Sequence, residues 1–469
     1  MDINEEYNKA LAFFNQQKYD DSTKICTQII DIDKNHYHTW NLLGNIFFNK
    51  NDLESAKQFF IAALNIKNDF VEAYYMLGNV LFQAEMFEDA INIWKEALKY
   101  KKSFAIIYSN ISAAYIRLEE ETLAISFAEE ALDIDSKCED AYLCLVNVYK
   151  SKMDLEKTKQ TLQKLLIQNK ENPEANFDLA YIYFIEKNYK KAYKHFEYRK
   201  KLDIQKNNYD YLPFKKYQRK PLKNKSLLVY HEQGFGDNIQ FARFLNNIES
   251  NDISYGIQNS LNKLFSFNFP KIKFEKEIKT TKNYDFMIPS MSIPHFFNIY
   301  ETLPEKYLKV EENDIIKFKD TFLDENKLNI GLVWSGSKTS DLKEIKSLEL
   351  NDFEILFDEK RNFYSLQIEN NEDLINYTNI KNIGRDFKDF YDTAVAISAL
   401  DLIISVDTAV AHLTGALGKK GFILSNKMQF DWRWENKDCI SLWYDSLKIF
   451  KYKEINSVMK KIDKEINEL

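Results

Sequence analysis

The feature that most constrains this chain is a period of 34 residues running through its N-terminal part. Shifting the sequence by that amount aligns Ala10, Gly44, Gly78, Ser112, Val146 and Ala180, mostly small residues, in one column. Phe13, Phe47, Leu81, Tyr115, Tyr149 and Tyr183 follow three residues later. A third column, Ser22, Ala56, Ala90, Ala124, Thr158 and Ala192, is again small, and four residues on stand Cys26, Phe60, Trp94, Ala128, Leu162 and Phe196. Small residues let two antiparallel helices approach within a copy, and the large residues fill the groove made by the next copy. Six copies in one register, over residues 2–203, predict an all-α solenoid.

These columns resemble the tetratricopeptide repeat. Its aromatic–Leu–Gly cluster is matched by Trp40, Leu43 and Gly44 and by Tyr74, Leu77 and Gly78, and its small-residue contacts by Ala56 and Ala90. The family's proline near the repeat end is mostly absent, although Pro173 opens the sixth copy. The resemblance implies a protein or peptide partner on the concave face of the repeats; a solenoid that only props up its neighbour is the alternative. The period also accounts for Asp31-Ile32-Asp33 and Asp133-Ile134-Asp135, which look like an Asp-x-Asp metal site but recur three periods apart. They read as solvated helix ends. The six histidines are scattered and no His-Glu-x-x-His occurs, so neither a metal nor a cofactor is expected.

Near residue 225 the character of the chain changes. Of eleven glycines only Gly44 and Gly78 precede it, and residues 204–225 are polar and basic, with Pro213 and Pro221 breaking any helix; a linker is expected there. A net charge of −7 gives no reason to expect a nucleic-acid partner. Four cysteines without a Cys-x-x-Cys spacing suit a reduced, cytoplasmic setting. No run approaches the ~18 apolar residues of a membrane span.

Beyond the linker, short apolar β-branched runs alternate with helical patterns, which predicts two α/β halves, residues 226–326 and 327–469, each with a parallel sheet. Strands are expected at 227–230, 253–257, 272–274, 284–288, 330–334, 363–366 and 402–406, and helices at 238–248, 261–265 and 390–400. Pro289, Pro294 and Pro304 should mark loops. Residues 401–418 read as a buried strand, an N-cap at Asp407 and Thr408, a helix rich in alanine and a stop at Gly418. A strand ending at a helix N-terminus gathers unpaired N–H groups where an anion can sit.

The segments His231-Glu-Gln-Gly-Phe-Gly-Asp-Asn-Ile-Gln-Phe-Ala-Arg243, Val333-Trp-Ser-Gly336, Phe363-Tyr-Ser-Leu-Gln367, residues 401–418 and Asp431-Trp-Arg-Trp434 resemble bacterial tetratricopeptide proteins with a heptosyltransferase-like glycosyltransferase domain. The resemblance implies a GT-B fold, two Rossmann-like domains with a nucleotide-sugar donor in the C-terminal one and the acceptor side in the N-terminal one. It also implies inverting, metal-independent transfer of a hexosyl or heptosyl group. A scaffold that keeps this fold without turnover is the alternative.

Within that frame Asp237 is the implied catalytic base, on a loop with Gln233, Gly234 and Gly236; an ordinary helix-capping aspartate is the bland reading. Gly331-Leu-Val-Trp-Ser-Gly-Ser-Lys-Thr339 misses the spacing of a phosphate-binding P-loop by one inserted serine. The resemblance instead implies a loop over the donor diphosphate, with Ser335, Gly336 and Ser337 along it and Lys338 or Lys346 as counter-charge. Where the family carries arginines, this chain has Asp341-Leu-Lys-Glu-Ile-Lys346. Asp407, Thr408 and Ala409 form the implied donor turn, and His412, one helical turn after Thr408, either shares its face or packs in the helix interior. Asp431-Trp-Arg-Trp434 lines the cleft or closes the core, and the two tryptophans favour the core. His231 and Glu232 are the next candidates for a base.

Overall fold

The computed structural model describes residues 2–202, 212–250, 252–278, 282–300, 306–336, 346–369, 371–427, 431–435 and 439–469. The chain divides into two compact units, Met1–Ala175 and Asn176–Leu469.

The first unit is helical: α1 (Ile3–Asn15), α2 (Tyr19–Ile32), α3 (Tyr37–Asn49), α4 (Leu53–Ile66), α5 (Val71–Gln83), α6 (Phe87–Tyr100), α7 (Ala105–Arg117), α8 (Glu121–Ile134), α9 (Glu139–Ser151) and α10 (Leu155–Gln168). Five pairs result, and the small columns lie where the helices of a pair touch. The Ser22 hydroxyl donates to the Ala10 carbonyl, and the Ser112 hydroxyl to that of Ala124, each at 2.7 Å. Cys26, Phe60, Trp94, Ala128 and Leu162 are all buried. Each pair reverses through one residue of left-handed backbone, Gln17, Asn51, Glu85, Glu119 and Met153, with φ between 57° and 61°. Asp52 and Asp154 then cap α4 and α10 by accepting the N–H groups of Ser55 and Lys157. Asp33 and Asp135 close α2 and α8 and accept N–H bonds from Asn35 and Lys137, so the two Asp-x-Asp sequences stand at helix ends.

Gly78 shows how tight the pairs are. A Cβ there would lie 2.2 Å from Trp94 Nε1, and that indole cannot swing away without losing its 3.1 Å bond to the Tyr75 carbonyl. Gly78→Ala should therefore cost about 1–3 kcal/mol through overpacking, read as a lowered thermal midpoint; an unchanged midpoint would show that α5 and α6 can spread.

The second unit begins within α11 (Pro173–Ile185), which with α12 (Tyr189–Phe196) forms the sixth pair, turning at Lys187 with φ 58°. Asn172 caps α11 through the Ala175 N–H, and Pro173 holds the first helical position. This pair sits on the α/β elements that follow it. Phe184 stacks on Trp432 with centroids 4.2 Å apart, Phe196 lies parallel to Phe241, and the fully buried Arg199 bonds Glu232 at 2.6 Å and Ser292 at 2.8 Å. The expected end of the repeats at residue 203 thus falls inside this unit. Of the expected linker, residues 204–211 lie outside the described residues. The remainder is packed, with Leu212, Tyr217 and Leu222 buried and the Tyr217 N–H bonded to the Met287 carbonyl.

Two parallel sheets follow. The first has the order β3-β2-β1-β4, from β1 (Leu227–Tyr230), β2 (Ile253–Gly256), β3 (Lys273–Glu275) and β4 (Phe286–Pro289). The second comprises β5 (Leu328–Val333), β6 (Arg361–Ser365), β7 (Ile380–Asn382), β8 (Leu402–Val406), β9 (Gly421–Asn426) and β10 (Leu447–Tyr452), in the order β10-β9-β8-β5-β6-β7. Read outward from β5 this is the doubly wound order, which reverses between β5 and β8 and opens a crevice at their carboxyl ends. Inner strands such as β1 and β8 are buried on both faces, which is why they read as apolar runs rather than alternations. The helices used below are α13 (Phe235–Ala242), α14 (Asn259–Asn268), α15 (Ile293–Phe297), α16 (Glu312–Phe322), α17 (Phe390–Ala399), α18 (Ala409–Ala416) and α19 (Ile455–Asn467).

Three local expectations need correction. The helix expected at 238–248 instead starts at Phe235 and stops at Ala242, with a 3-10 turn at Leu245–Asn247, because Gly234 rather than Asp237 is its N-cap. Pro294 lies inside α15, and Pro289 ends β4, where neither N–H is needed. Pro304 lies outside the described residues. Gly418 ends α18 at φ +65°, as the sequence suggests.

Candidate functional site

A cavity of about 910 Å³ opens at the carboxyl ends of β1, β5 and β8. Its lining includes Gln233, Gly234, Gly236 and Asp237 from the turn after β1, Ser335 and Gly336 from the turn after β5, and Lys346. Asp407, Thr408, Ala409 and His412 come from the turn and helix after β8. The described residues expected to form the catalytic loop and the donor site therefore meet in one place, whereas the alternative bases His231 and Glu232 do not join them. Ser337 and Lys338 lie outside the described residues. The turn after β9 adds Asp431 and Arg433, and α11 adds Tyr181.

Two helix starts abut on the floor. A Cβ at Gly236 would lie 2.7 Å from the His412 ring and 3.6 Å from the Ala409 Cα, so glycine is what lets α13 approach α18. Their N-terminal N–H groups and positive dipole ends consequently face a shared space. The turn before α13 is held by Asn238, whose amide donates to the Gly234 carbonyl at 2.9 Å and to Gln258 Oε1 at 2.9 Å, while Tyr255 donates to its Oδ1 at 2.8 Å. Gln233 at the bend has φ 42°.

Asp237 occupies the third position of α13 and does two things. Its Oδ2 accepts the Gly234 N–H at 3.2 Å, the helix-capping half of its role. Its Oδ1 accepts from Arg433 Nη2 at 2.5 Å. Burial, with the nearby charge of Asp431, raises the Asp237 carboxyl above its ordinary range, and the Arg433 guanidinium works against that rise. Arg433 is the hub of the cleft floor. Its Nε donates to Gln240 Oε1 at 2.8 Å, Nη1 to Asp431 at 3.1 and 3.2 Å, and its plane lies 4.5 Å from the Trp432 ring centroid. The motif 431–434 thus divides its labour: Trp432 and Trp434 are buried in the core, and Asp431 and Arg433 face the cleft.

On the opposite side, Lys346 Nζ donates to Asp407 Oδ2 at 2.6 Å. Ser335 is buried, its N–H directed to Gln367 Oε1 at 3.3 Å and its carbonyl accepting from Gln367 Nε2 at 2.9 Å. A Cβ at Gly336, which lines the cavity, would meet nothing within 4 Å. Thr408 is the N-cap of α18 by backbone geometry, and its hydroxyl bonds Ser405 rather than the helix. His412 bonds the Tyr444 hydroxyl at 3.0 Å, and burial holds its ring well below the ordinary histidine range, so it is neutral at pH 7. Phe235 and Phe390, 5.0 Å apart, give the mouth an aromatic lip.

His231 and Glu232 stand outside the lining. His231 bonds the Gly256 carbonyl, and Glu232 is taken by Arg199. Among the described residues no group of three or more His, Cys, Asp or Glu could hold a metal ion, and no helix is long and apolar enough to cross a membrane.

Residues 37–70 and 75–137 match models of the tetratricopeptide repeat. The chain thus carries tetratricopeptide repeats in its N-terminal region and continues into a region of parallel α/β sheets with a cleft at their strand ends. Similar solved structures include YrrB, a tetratricopeptide protein with an unusual peptide-binding site, at 20% identity over 38% of this chain and 92% of that one with a TM-score of 0.30. Another is pilF of Pseudomonas aeruginosa, at 12% identity over 43% of this chain and 92% of that one, TM-score 0.39. MamA is similar at 19% identity over 35% of this chain and 96% of that one, TM-score 0.33. No curated protein matches the sequence.

Proposed function

We propose that the α/β region is a metal-independent, inverting glycosyltransferase of GT-B type that takes a nucleotide-activated sugar, and that the repeats present a protein or peptide acceptor. The observation that carries this reading is the meeting of the Asp237 turn of one parallel sheet with the Ser335 and Asp407 turns of the other around one cavity. Inversion needs a base to take the acceptor hydroxyl's proton as its oxygen attacks the anomeric carbon, and a partly buried carboxylate whose pKa is raised suits that task. The N-terminal ends of α13 and α18 offer N–H groups to a diphosphate. Tetratricopeptide repeats are protein-interaction scaffolds, which supports the acceptor assignment.

One observation favours a second reading, a non-catalytic scaffold that retains the fold. Both Asp237 and Asp407 are engaged by cations, Arg433 and Lys346.

A panel of nucleotide sugars and nucleoside diphosphates, screened by thermal shift, separates the two. A ligand at 100 times its Kd should stabilise the chain by about 2.7 kcal/mol. Asp407→Ala should weaken the sugar nucleotide more than the matching nucleoside diphosphate, because on this reading its carboxylate takes the sugar and the backbone N–H groups take the phosphate. No shift with any member would remove the donor and leave the scaffold.

A further inference from the structure

We propose that Arg433 couples donor binding to release of the base: a nucleoside diphosphate entering the cleft takes over the guanidinium Nη2 now held by Asp237, and the freed carboxylate oxygen then receives the acceptor proton. This rests on the glycosyl-transfer reading and specifies how its site is switched on.

The geometry carries the argument. Three of the four described bonds of the guanidinium fix its place, since Nε is held by Gln240 and Nη1 by both oxygens of Asp431, with the Trp432 indole beneath it. Trp432 is itself immobilised by Phe184 and Trp443. The fourth runs from Nη2 to Asp237 Oδ1, and Asp237, unlike Gln240, lines the cavity. A small rotation about the anchored edge can therefore redirect Nη2 while the rest of the head stays in place.

Arginine suits an exchange of this kind. Its planar fork matches carboxylate and phosphate equally well and stays charged at any working pH. Of the other cations in the described lining, Lys388 stands beside Phe387 and Asp389, away from the 431–434 turn in the chain. Lys346 is committed to Asp407, and the segment that carries arginines in the resembled family reads Asp341-Leu-Lys-Glu-Ile-Lys346 here. Arg433 lines the same cavity as Thr408 and Ala409, where α13 and α18 abut and an anion would be drawn.

The transfer then balances without a further reactant. The acceptor oxygen forms its bond to the anomeric carbon and gives its proton to Asp237. The bond from that carbon to the phosphate oxygen breaks, and the electron pair leaves with the nucleoside diphosphate, whose added charge meets Arg433. Binding of donor before acceptor follows, because the base is unmasked only once the diphosphate is seated.

The test is calorimetric titration of the four common nucleoside diphosphates, ADP, GDP, UDP and CDP, into the full chain. Asp237 competes with the ligand for Nη2, so Asp237→Asn should tighten binding several-fold. Arg433→Met should weaken it by about 10- to 100-fold, the value of a hydrogen bond to a charged group. Arg433→Lys, which keeps the charge and guards against a folding defect, should recover part of the loss. Equal affinity of the parent, Arg433→Met and Arg433→Lys overturns the role of the arginine, and an Asp237→Asn affinity at or below the parent's overturns the exchange. Absence of binding to the parent chain overturns the donor reading and this one with it.

Discussion

Replacing Asp237 with asparagine should lower sugar transfer by about 10²–10⁴-fold, the contribution general acid–base catalysis typically makes. Asparagine nearly preserves size and shape, and its amide oxygen can still accept from Arg433 or from the Gly234 N–H, so α13 should remain capped. What disappears is the group able to take a proton. The quantity to follow is single-turnover transfer to acceptor, with donor hydrolysis as the fallback readout. A parental rate would reduce Asp237 to its capping bond, and the base would then be sought at Asp431, which lines the cavity. His231 and Glu232 would not be the next choices, since neither lines it and Glu232 is bound to Arg199.

A chain beginning at residue 206 should fail to fold, whereas one beginning at Asn172 should fold and keep its cleft. Removing residues 172–205 strips Phe184, Tyr193 and Phe196 from contacts with Trp432, Phe241 and Phe244, and deletes the buried partner of Glu232. Each lost core aromatic costs about 3–5 kcal/mol. Three of them account for about the whole stability of an ordinary domain, 5–15 kcal/mol. Circular dichroism melting of the two chains decides the matter. A cooperative transition in the shorter chain would show that the sixth helical pair only leans on the α/β elements.

The sequence exposes features whose cause is local and hides those whose cause is not. The repeat register is visible because the same two columns meet sixteen residues apart, most tightly where Gly44 faces Phe60 and Gly78 faces Trp94. Strands such as β8 are visible because burial on both faces demands consecutive apolar residues. The helix starting at Phe235 is misplaced because an aspartate three residues in can cap as well as one at the start, by reaching back to the Gly234 N–H. Arg433 stays hidden for another reason. Its partners Asp237 and Gln240 lie 196 and 193 residues away in the chain, and no spacing rule links them. Beside it, the tryptophans of Asp431-Trp-Arg-Trp434 draw attention to the core and away from the two charged residues between and before them. Tyr181 is masked in the same way: lying between the column residues Ala180 and Tyr183 it reads as solenoid, yet it borders the cavity.

The turn within each helical pair has a consequence for how the repeats tolerate change. Gln17, Asn51, Glu85, Glu119, Met153 and Lys187 share one left-handed backbone shape and an exposed side chain, and they have no chemistry in common. A polar amide, an acid, a thioether and a base serve equally, and none of the six is β-branched, the side-chain shape such a backbone resists most. Holding a non-glycine residue there costs about 1–2 kcal/mol, so these turns select for backbone shape alone and leave side-chain identity free to drift. The cores of the pairs can thus stay fixed while their corners wander, and corners are where a repeat array can take on new surface chemistry without being rebuilt.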